Sequence, residues 1–484
     1  MPIVSTRFES RTALILLKKV GLPASLRSYV RARSPEGNPV VLQRLWEFNK
    51  IFDSRFEDLR SPQWKQIVYR DFSAGLITAM TAIPMAMGFA IAMGMRPEQG
   101  IIAGALACAV GRTWGGSKYQ VYGPTAAFIP VIFAVMQKYD HGFLVAGSII
   151  AGLILMVMGL TGSGKIAKLV PNSIVVGFTV GIGVTIAATN LYDVLGINGV
   201  AAGGNLWSKL RGVVEHIGEV NVIAMAIGLG TFAFTKGLLR VSIFIPAPLL
   251  AVGLATFAAA TWWSDAGLTL VRTKFGSIPN NFFVFTPPSM PPISGQVIMD
   301  MAYLVFGIVF VSGVESLLCS SMADRMAGNR KTPFNPDKEF WGQGLVQVIT
   351  PLVNGFPCTG ALARTATSIK AGAMTPLAGY FKAILKLAMA YYLAHWLEMV
   401  PMACIGGILL WVASNMINVK EVRHVMATTR FHTALMIYTA VMVPMTDFLT
   451  GVLSALIIYF LTRRYFEADA KELDSSKQLV EASL

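Results

Sequence analysis

Residues 353–372 read VNGFPCTGALARTATSIKAG, and they interrupt an otherwise apolar part of the chain. Glycine, proline and small residues surround a single arginine, Arg364. A second stretch of the same kind, GGSKYQVYGPTAAFIPV, occupies residues 115–131. Each is an irregular Gly/Pro stretch followed by a short apolar helix. Paired broken segments at matching positions of two halves are the sequence mark of a transporter binding site.

The surrounding composition is that of a membrane protein. The 484 residues are 54% hydrophobic and 14% charged, with a mean hydropathy of +0.58, whereas soluble domains carry about 25% charged residues. The apolar blocks are about 17–25 residues long, which suits the hydrocarbon core of a bilayer. The four cysteines show neither metal nor disulfide spacing. The chain is therefore predicted to be an all-α polytopic membrane protein without a metal or cofactor, and no nucleophile–base pattern indicates an enzyme.

The hydropathy pattern predicts fourteen transmembrane segments. The two broken segments are the third of the first seven and the third of the second seven. Because seven is odd, the second half must cross the membrane in the opposite sense, as an inverted repeat. The predicted limits are 72–95, 98–111, 124–137, 142–160, 171–192, 220–236, 241–263, 297–322, 339–354, 359–370, 376–395, 399–414, 431–445 and 447–462.

The loop charges predict the orientation. With this count, fourteen Lys and Arg residues fall in the loops on one side and six on the other. Since Lys and Arg concentrate in cytoplasmic loops, both termini are predicted to be cytoplasmic, with the plasma membrane favoured over an organelle membrane. The first 35 residues leave two readings open, a transit peptide or an amphipathic segment on anionic lipid.

The predicted organisation has five parts. They are a basic cytoplasmic region (1–70), a first seven-segment repeat (71–263), an extracellular loop (264–296), a second repeat (297–462) and a short cytoplasmic tail (463–484).

The short helices that follow the broken stretches predict an anion site. The start of a helix offers unpaired N–H groups and a partial positive charge, and two of them facing each other at mid-membrane would bind an anion. The backbone groups concerned belong to Thr125 and Ala126 in the first half and to Ala363, Arg364 and Thr365 in the second. Because a charge inside an apolar segment usually faces a cavity, Arg364 is predicted to bind substrate directly.

Three other charges lie in apolar segments. Glu315 stands in an uncharged span, and a buried carboxylate needs compensation. It could pair with Arg364, carry a coupling proton or help to hold a cation. Lys382 and Lys386 lie four residues apart near the predicted cytoplasmic end of a segment, where snorkelling to the interface is favoured, more firmly for Lys382.

The motifs resemble those of the sulfate permease family of anion transporters. The resemblance rests on DFSAGLITAMTAIPMAMGFAIAMGMRPEQG near the first span, VYGPTA, VESLL, GQGLVQVITPLVNGFPCTGALART and GAMTPLAG. It implies two inverted repeats arranged as a core domain and a gate domain, with two short strand and half-helix segments. It also implies that Phe89 on the first span flanks the anion. Met85 replaces the family's usual glutamine, and no C-terminal STAS domain is expected.

The leading hypothesis is a secondary transporter of small inorganic anions, with sulfate first, elevator-type movement and proton-coupled symport through Glu315. Sodium coupling is less favoured, because Arg364 occupies the place where a cation would bind. The alternatives are a bicarbonate or chloride transporter, a nucleobase permease of the same architecture, and an anion channel or motor. The expected partners are the anion, the bilayer and a second copy in a homodimer, with no nucleic acid.

Overall fold

The chain is almost entirely helical, with one pair of very short strands. The computed structural model describes residues 40–164, 170–197, 205–242, 244–279 and 281–481. Those ranges contain eighteen α-helices and two strands. Helix α1 (Val40–Phe48) belongs to a unit formed by residues 1–51, and all later elements lie in a second unit, residues 52–484. The first 35 residues, where the transit peptide is one reading, lie outside the described part.

The first half of the second unit contains eight helices and the first strand. They are α2 (Trp64–Ala92), α3 (Pro97–Trp114), β1 (Tyr122–Gly123), α4 (Ile129–Met136) after a 3-10 turn (Ala126–Phe128), α5 (His141–Leu160), α6 (Asn172–Leu195), α7 (Leu206–Glu215), α8 (Val222–Val241) and α9 (Ala247–Thr261).

The second half repeats this order. Its elements are α10 (Val271–Phe275), α11 (Gly295–Ala327), α12 (Pro336–Leu352), β2 (Thr359–Gly360), α13 (Leu362–Lys370), α14 (Leu377–Glu398), α15 (Met402–Met416), α16 (Val419–Thr428), α17 (Arg430–Met445) and α18 (Phe448–Glu481).

The helix contacts show an internal two-fold relationship. Helix α2 packs on α14, and its counterpart α11 packs on α5. In the same way α3 contacts α14 while α12 contacts α5, and α6 contacts α17 while α15 contacts α8. Each contact thus recurs with the two halves exchanged. Because each repeat has seven crossing elements, this exchange inverts the chain direction across the membrane.

The helices form two groups. The core group contains α2–α5 and α11–α14, and the gate group contains α6, α8, α9, α15, α17 and α18, with most helix contacts inside one group or the other. Helix α2 is central, since 83% of its apolar window is buried, against 28% in α8. In the described ranges, five helices are individually long and apolar enough to cross a membrane, and the stretch Met402–Thr428 formed by α15 and α16 together is a sixth such span. Shorter apolar helices are Ala126–Met136, Ala247–Thr261 and Phe448–Arg463.

Small residues set the closest helix contacts. On α5 and α12, a Cβ added to Gly152 would lie 2.6 Å from the Gly344 carbonyl oxygen, and one added to Gly344 would lie 2.5 Å from the Gly152 oxygen. A Cβ at Gly75 of α2 would likewise lie 2.7 Å from the Cβ of Phe381 on α14. Membrane helices associate through such close backbone approach, because burial of apolar surface gives little driving force in lipid.

Each predicted segment overlaps a helix, and the largest differences in their limits occur at the two ends of the chain. Helix α2 begins at Trp64 rather than residue 72, and α18 continues to Glu481 rather than ending at residue 462. Hydropathy located the apolar part of each helix, but helical hydrogen bonding continues through polar residues beyond it.

The region predicted as a basic extension, residues 1–70, is therefore partly structural. The 3-10 helix Ser54–Arg60 lies on the end of the core group. The buried Arg55 donates to the carbonyl oxygens of Arg112 and Thr113 at the end of α3. Asp53 pairs with Lys338 at 2.6 Å, at the start of α12. This segment joins the two repeats through the hydrogen bonds of Arg55 and the ion pair of Asp53.

Candidate functional site

The two broken segments cross at the centre of the core group. Strands β1 and β2 pair antiparallel, with Tyr122 opposite Gly360 and Gly123 opposite Thr359. Just beyond the strands, the Ala361 N–H donates to the Val121 carbonyl. A helix begins after each strand, with the 3-10 turn and α4 after β1 and with α13 after β2. The starts of two short helices are thereby brought to one place, each with backbone N–H groups that lack helical partners.

A cavity of about 290 Å³ adjoins these helix starts, between the core and gate groups. The core group contributes six of the seven predicted site residues to its lining. These are Phe89, Thr125, Ala126, Glu315, Ala363 and Arg364. The structure thus brings together positions from α2, from α11 and from both broken segments.

Thr365 is the predicted residue that does not line this cavity. Its side chain is fully buried. Its hydroxyl oxygen accepts a hydrogen bond from the Val121 N–H at 2.8 Å and lies 3.3 Å from the sulfur of Cys319. Thr365 therefore ties α13 to the strand before α4. It thus stabilises the crossing of the two broken segments without lining the cavity.

Arg364 is held at the crossing with unused donors. The residue is 3% exposed, and its Nη2 donates to the Pro124 carbonyl oxygen. Its Nε and Nη1 have no hydrogen-bond partner in the part of the chain that the structure describes. Gly123 gives the guanidinium room, since a Cβ there would lie 2.9 Å from Nη1. An unmet buried donor costs about 1–3 kcal/mol, so these groups are suited to a ligand with acceptor oxygens.

Glu315 lines the same cavity from α11 and contacts the first broken segment. Its Oε2 accepts a hydrogen bond from the Thr125 hydroxyl at 3.0 Å. Among the described residues, Glu315 and Arg364 do not approach within ion-pair distance. The direct pairing of these two side chains, one of the three sequence-based alternatives, is therefore not formed. The carboxylate and the guanidinium instead face the same cavity from different elements.

Sequence reasoning missed the wall that the gate group contributes. This wall comes from α6, α15, the turn after α15 and the start of α16, and it is composed of Asn172, Val175, Phe178, Thr179, Trp411, Val412, Asn415, Met416, Asn418 and Glu421. The asparagines are exposed and mark the end at which the cavity reaches the surface. A signal was present in the sequence: three Asn residues adjoin apolar spans that otherwise carry few polar side chains. Only the packing of α6 and α15 against the core group shows that they share one cavity.

The two lysines of α14 do not snorkel. Lys382 and Lys386 are both fully buried. Their ammonium groups donate inward, Lys382 to the Tyr122 carbonyl at 2.9 Å and Lys386 to the Gly100 carbonyl at 3.2 Å. The snorkelling prediction is wrong, because α14 is packed between α2 and α3 and the side chains have no path to the interface.

Glu339, the first residue of the predicted segment 339–354, is also fully buried. It accepts hydrogen bonds from Gln120, Tyr122 and Ser316, and from the Gly116 N–H. These contacts fix the irregular chain that leads into β1. Glu339 thus positions the first broken segment from outside the cavity.

Comparison with known proteins decides the family. A sequence profile of the sulfate permease family matches residues 68–439. The chain belongs to the sulfate permease family. The members of this family are membrane anion transporters, so the predictions of the family and of a transporter rather than an enzyme are confirmed.

Two relatives illustrate the range of this family. The chain is 33% identical over 419 residues to the putative sulfate transporter YvdB of Bacillus subtilis (strain 168), covering 86% of this chain and 77% of that protein. It is 27% identical over 359 residues to the bicarbonate transporter BicA of Picosynechococcus sp., covering 72% and 62%.

Two solved structures share the fold of this chain. The transmembrane domain of a cyanobacterial BicA aligns with a TM-score of 0.67 at 23% identity, covering 84% of this chain and 99% of that one. The murine Solute Carrier 26 family member A9 anion transporter, in its inward-facing state, aligns with a TM-score of 0.72 at 14% identity, covering 92% and 72%. The predicted helical membrane fold is confirmed.

Proposed function

We propose that this protein is a secondary active transporter of small inorganic anions, with sulfate as its main substrate. One observation carries the proposal: the two unpartnered N–H donors of Arg364 lie beside two helix starts at a cavity inside the membrane-spanning unit. Arginine binds oxyanions through directed, charge-assisted hydrogen bonds. The helix starts add backbone donors and a partial positive charge. A tetrahedral oxyanion would use both sets of donors at once.

We prefer sulfate as the substrate because Arg364 brings a positive charge to the site and because of the relatives that the chain resembles. The relative named as a putative sulfate transporter is 33% identical, and the relative named as a bicarbonate transporter is 27% identical. Bicarbonate is the second candidate, supported by the fold shared with the BicA transmembrane domain. Both anions carry oxygen acceptors, and they differ in shape and charge.

The cavity supports an inward-open state and elevator-type movement. Its exposed rim includes Asn415 and Asn418, next to α16 with Lys420 and Arg423. From the asymmetry of Lys and Arg, we propose that this side is cytoplasmic, that both termini lie in the cytoplasm, and that the membrane is a plasma membrane. We propose that the core group carries the anion across the membrane while the gate group stays in place. The repeat limits of 71–263 and 297–462, and a homodimer, remain predictions.

Glu315 is proposed to couple transport to protons. Its carboxylate accepts from Thr125, the residue that starts the first short helix. Protonation of Glu315 removes a negative charge from the cavity wall and so favours entry of an anion. Release of that proton on the other side would complete a symport cycle, with H⁺ rather than Na⁺ as the coupling ion.

Uptake of labelled sulfate into liposomes that contain the purified protein tests the proposal. We expect saturable uptake that unlabelled sulfate competes away, and we expect Arg364→Gln to abolish it. Arg325→Gln is the matched control, since Arg325 is an exposed arginine at the end of α11. Unchanged sulfate uptake in Arg364→Gln would exclude the proposed role of the arginine. Uptake of bicarbonate without sulfate would favour the second candidate, and currents without substrate turnover would indicate a channel or motor.

A further inference from the structure

The buried lysines of α14 stand behind the anion site without acidic partners. Lys382 and Lys386 are one helical turn apart, and neither is exposed. Among the described residues, no carboxylate lies within ion-pair distance of either ammonium group. Their hydrogen-bond acceptors are the backbone carbonyls of Tyr122 and Gly100. Two uncompensated ammonium groups in the interior of a protein are costly unless another negative charge compensates them.

Both ammonium groups adjoin the strand that presents the site. Lys382 donates to the Tyr122 carbonyl, and Arg364 donates to the Pro124 carbonyl two residues further along. Lys386 lies beside Pro124, the residue that follows the strand, on the side of α3. A Cβ placed on Gly104 would collide with Lys386 Nζ and would also lie 3.1 Å from the Pro124 ring.

The charges at this crossing do not balance. Arg364, Lys382 and Lys386 contribute three positive groups. In the described ranges, the carboxylates that adjoin the crossing are Glu315, which faces the cavity, and the buried Glu339, which accepts hydrogen bonds beside the strand. Positive groups therefore outnumber carboxylates even when both carboxylates are ionised. In a medium of low dielectric constant, charges act over several ångströms even without direct contact, so this excess attracts a doubly charged anion at the helix starts more strongly than a singly charged one.

Hydrogen bonding to the backbone carbonyl oxygens does not explain why lysine occupies positions 382 and 386. Gly100 lies inside α3, where a carbonyl already accepts a hydrogen bond from the helix four residues on. A neutral side chain of equal length would fill the same space. The ammonium charge of Lys386 therefore needs a reason beyond packing.

We propose that Lys382 and Lys386 set the charge selectivity of the site, favouring a doubly charged oxyanion over a singly charged one of the same shape. Their charges act on the anion from the far side of the strand. The two lysines do not contact the anion, so they are positioning residues. This inference rests on the proposed function and names the class of substrate, a tetrahedral dianion.

The test compares two tetrahedral oxyanions of different charge. Sulfate is the labelled substrate, and selenate (2−) and perchlorate (1−) are the competitors, in liposomes containing wild type, Lys382→Met, Lys386→Met or the double variant. Methionine keeps the length of the side chain and removes its charge. The hydration energies of the competitors are the same for every variant, so the ratio of their inhibition constants reports the protein alone. Lys370→Met, an exposed lysine at the end of α13, is the control.

We expect the double variant to narrow the preference for selenate over perchlorate by about tenfold, equivalent to about 1.4 kcal/mol, and Lys370→Met to leave it unchanged. A merely structural role would weaken both competitors equally, and that outcome overturns the inference. If the double variant does not fold, the single variants decide, since an unchanged ratio of the selenate and perchlorate inhibition constants in both of them also overturns the inference. Absence of sulfate uptake in wild type would instead refute the proposed function.

Discussion

Thr125 donates a hydrogen bond of 3.0 Å to Glu315, and this contact links the start of one short helix to the carboxylate on α11. The two residues come from opposite repeats and meet at the cavity that Arg364 lines. A change of charge at Glu315 therefore acts directly on the backbone donors that would hold an anion.

Replacing Glu315 with glutamine should uncouple transport from protons. The glutamine oxygen can still accept from Thr125, so the helix start keeps its position, but the side chain no longer takes up a proton. We expect an inward proton gradient to stimulate sulfate uptake severalfold in wild type and not at all in Glu315→Gln, while sulfate–sulfate exchange persists. Glu421→Gln, at the rim of the same cavity, is the control. Proton stimulation that survives in Glu315→Gln would assign the coupling to another group.

Adding one methyl group behind the arginine should impair transport selectively. In Gly123→Ala the new Cβ would lie 2.9 Å from Arg364 Nη1 and force the guanidinium to move. Misplacement of a binding group by about 1 Å can cost about a hundredfold, so we expect a loss of uptake of at least about tenfold. Gly230→Ala, where nothing lies within 4 Å of the added atom, should transport like wild type. Equal activity of the two variants would show that the arginine position is not critical.

The cavity should be accessible from the cytoplasm only. We expect Asn415→Cys, at the exposed rim, to react with an impermeant thiol reagent in inside-out vesicles, and sulfate to slow the reaction. The natural cysteines are buried, and Cys319→Ala removes the one that lines the cavity. Ser277→Cys, exposed in the loop after α10, should react only in right-side-out vesicles. The reverse pattern would invert the proposed orientation.

Low pH should reduce the stability that Asp53 contributes to the protein. Asp53 lies in the segment that packs on the end of α3 and joins the two repeats. Burial works to raise the pKa of Asp53, but Arg55 and Lys338 outweigh it and hold that pKa below its ordinary value. A carboxyl with a lowered pKa stabilises the fold above its unfolded-state pKa, and this stabilisation is lost as pH falls through the folded-state value.

Asp53→Asn should therefore be less stable than wild type by about 1 kcal/mol at pH 7. The difference should stay constant down to about pH 5 and shrink near pH 3.5. Thermal unfolding in detergent at these three pH values measures it. A difference that persists undiminished at pH 3.5 would mean that the ionised carboxylate is not its source.

Much of the candidate site could be read from local sequence. Gly and Pro break a helix wherever they occur in an apolar segment, and a lone Arg or Glu in such a segment is costly wherever it lies. These are properties of a few adjacent residues, so Arg364, Glu315 and Thr125 could be singled out before any packing was known. The family motifs added Phe89, which also lines the cavity.

The sequence by itself determined the helical membrane fold and the pair of broken segments, because hydropathy and helix breaking depend on neighbours in the chain. Only the tertiary structure decided that Thr365 supports the crossing, that α6 and α15 supply a wall of the cavity, and that Lys382 and Lys386 point inward. Those outcomes depend on which distant segments pack together. A lysine near a helix end snorkels beside lipid, but it is buried when two other helices enclose it.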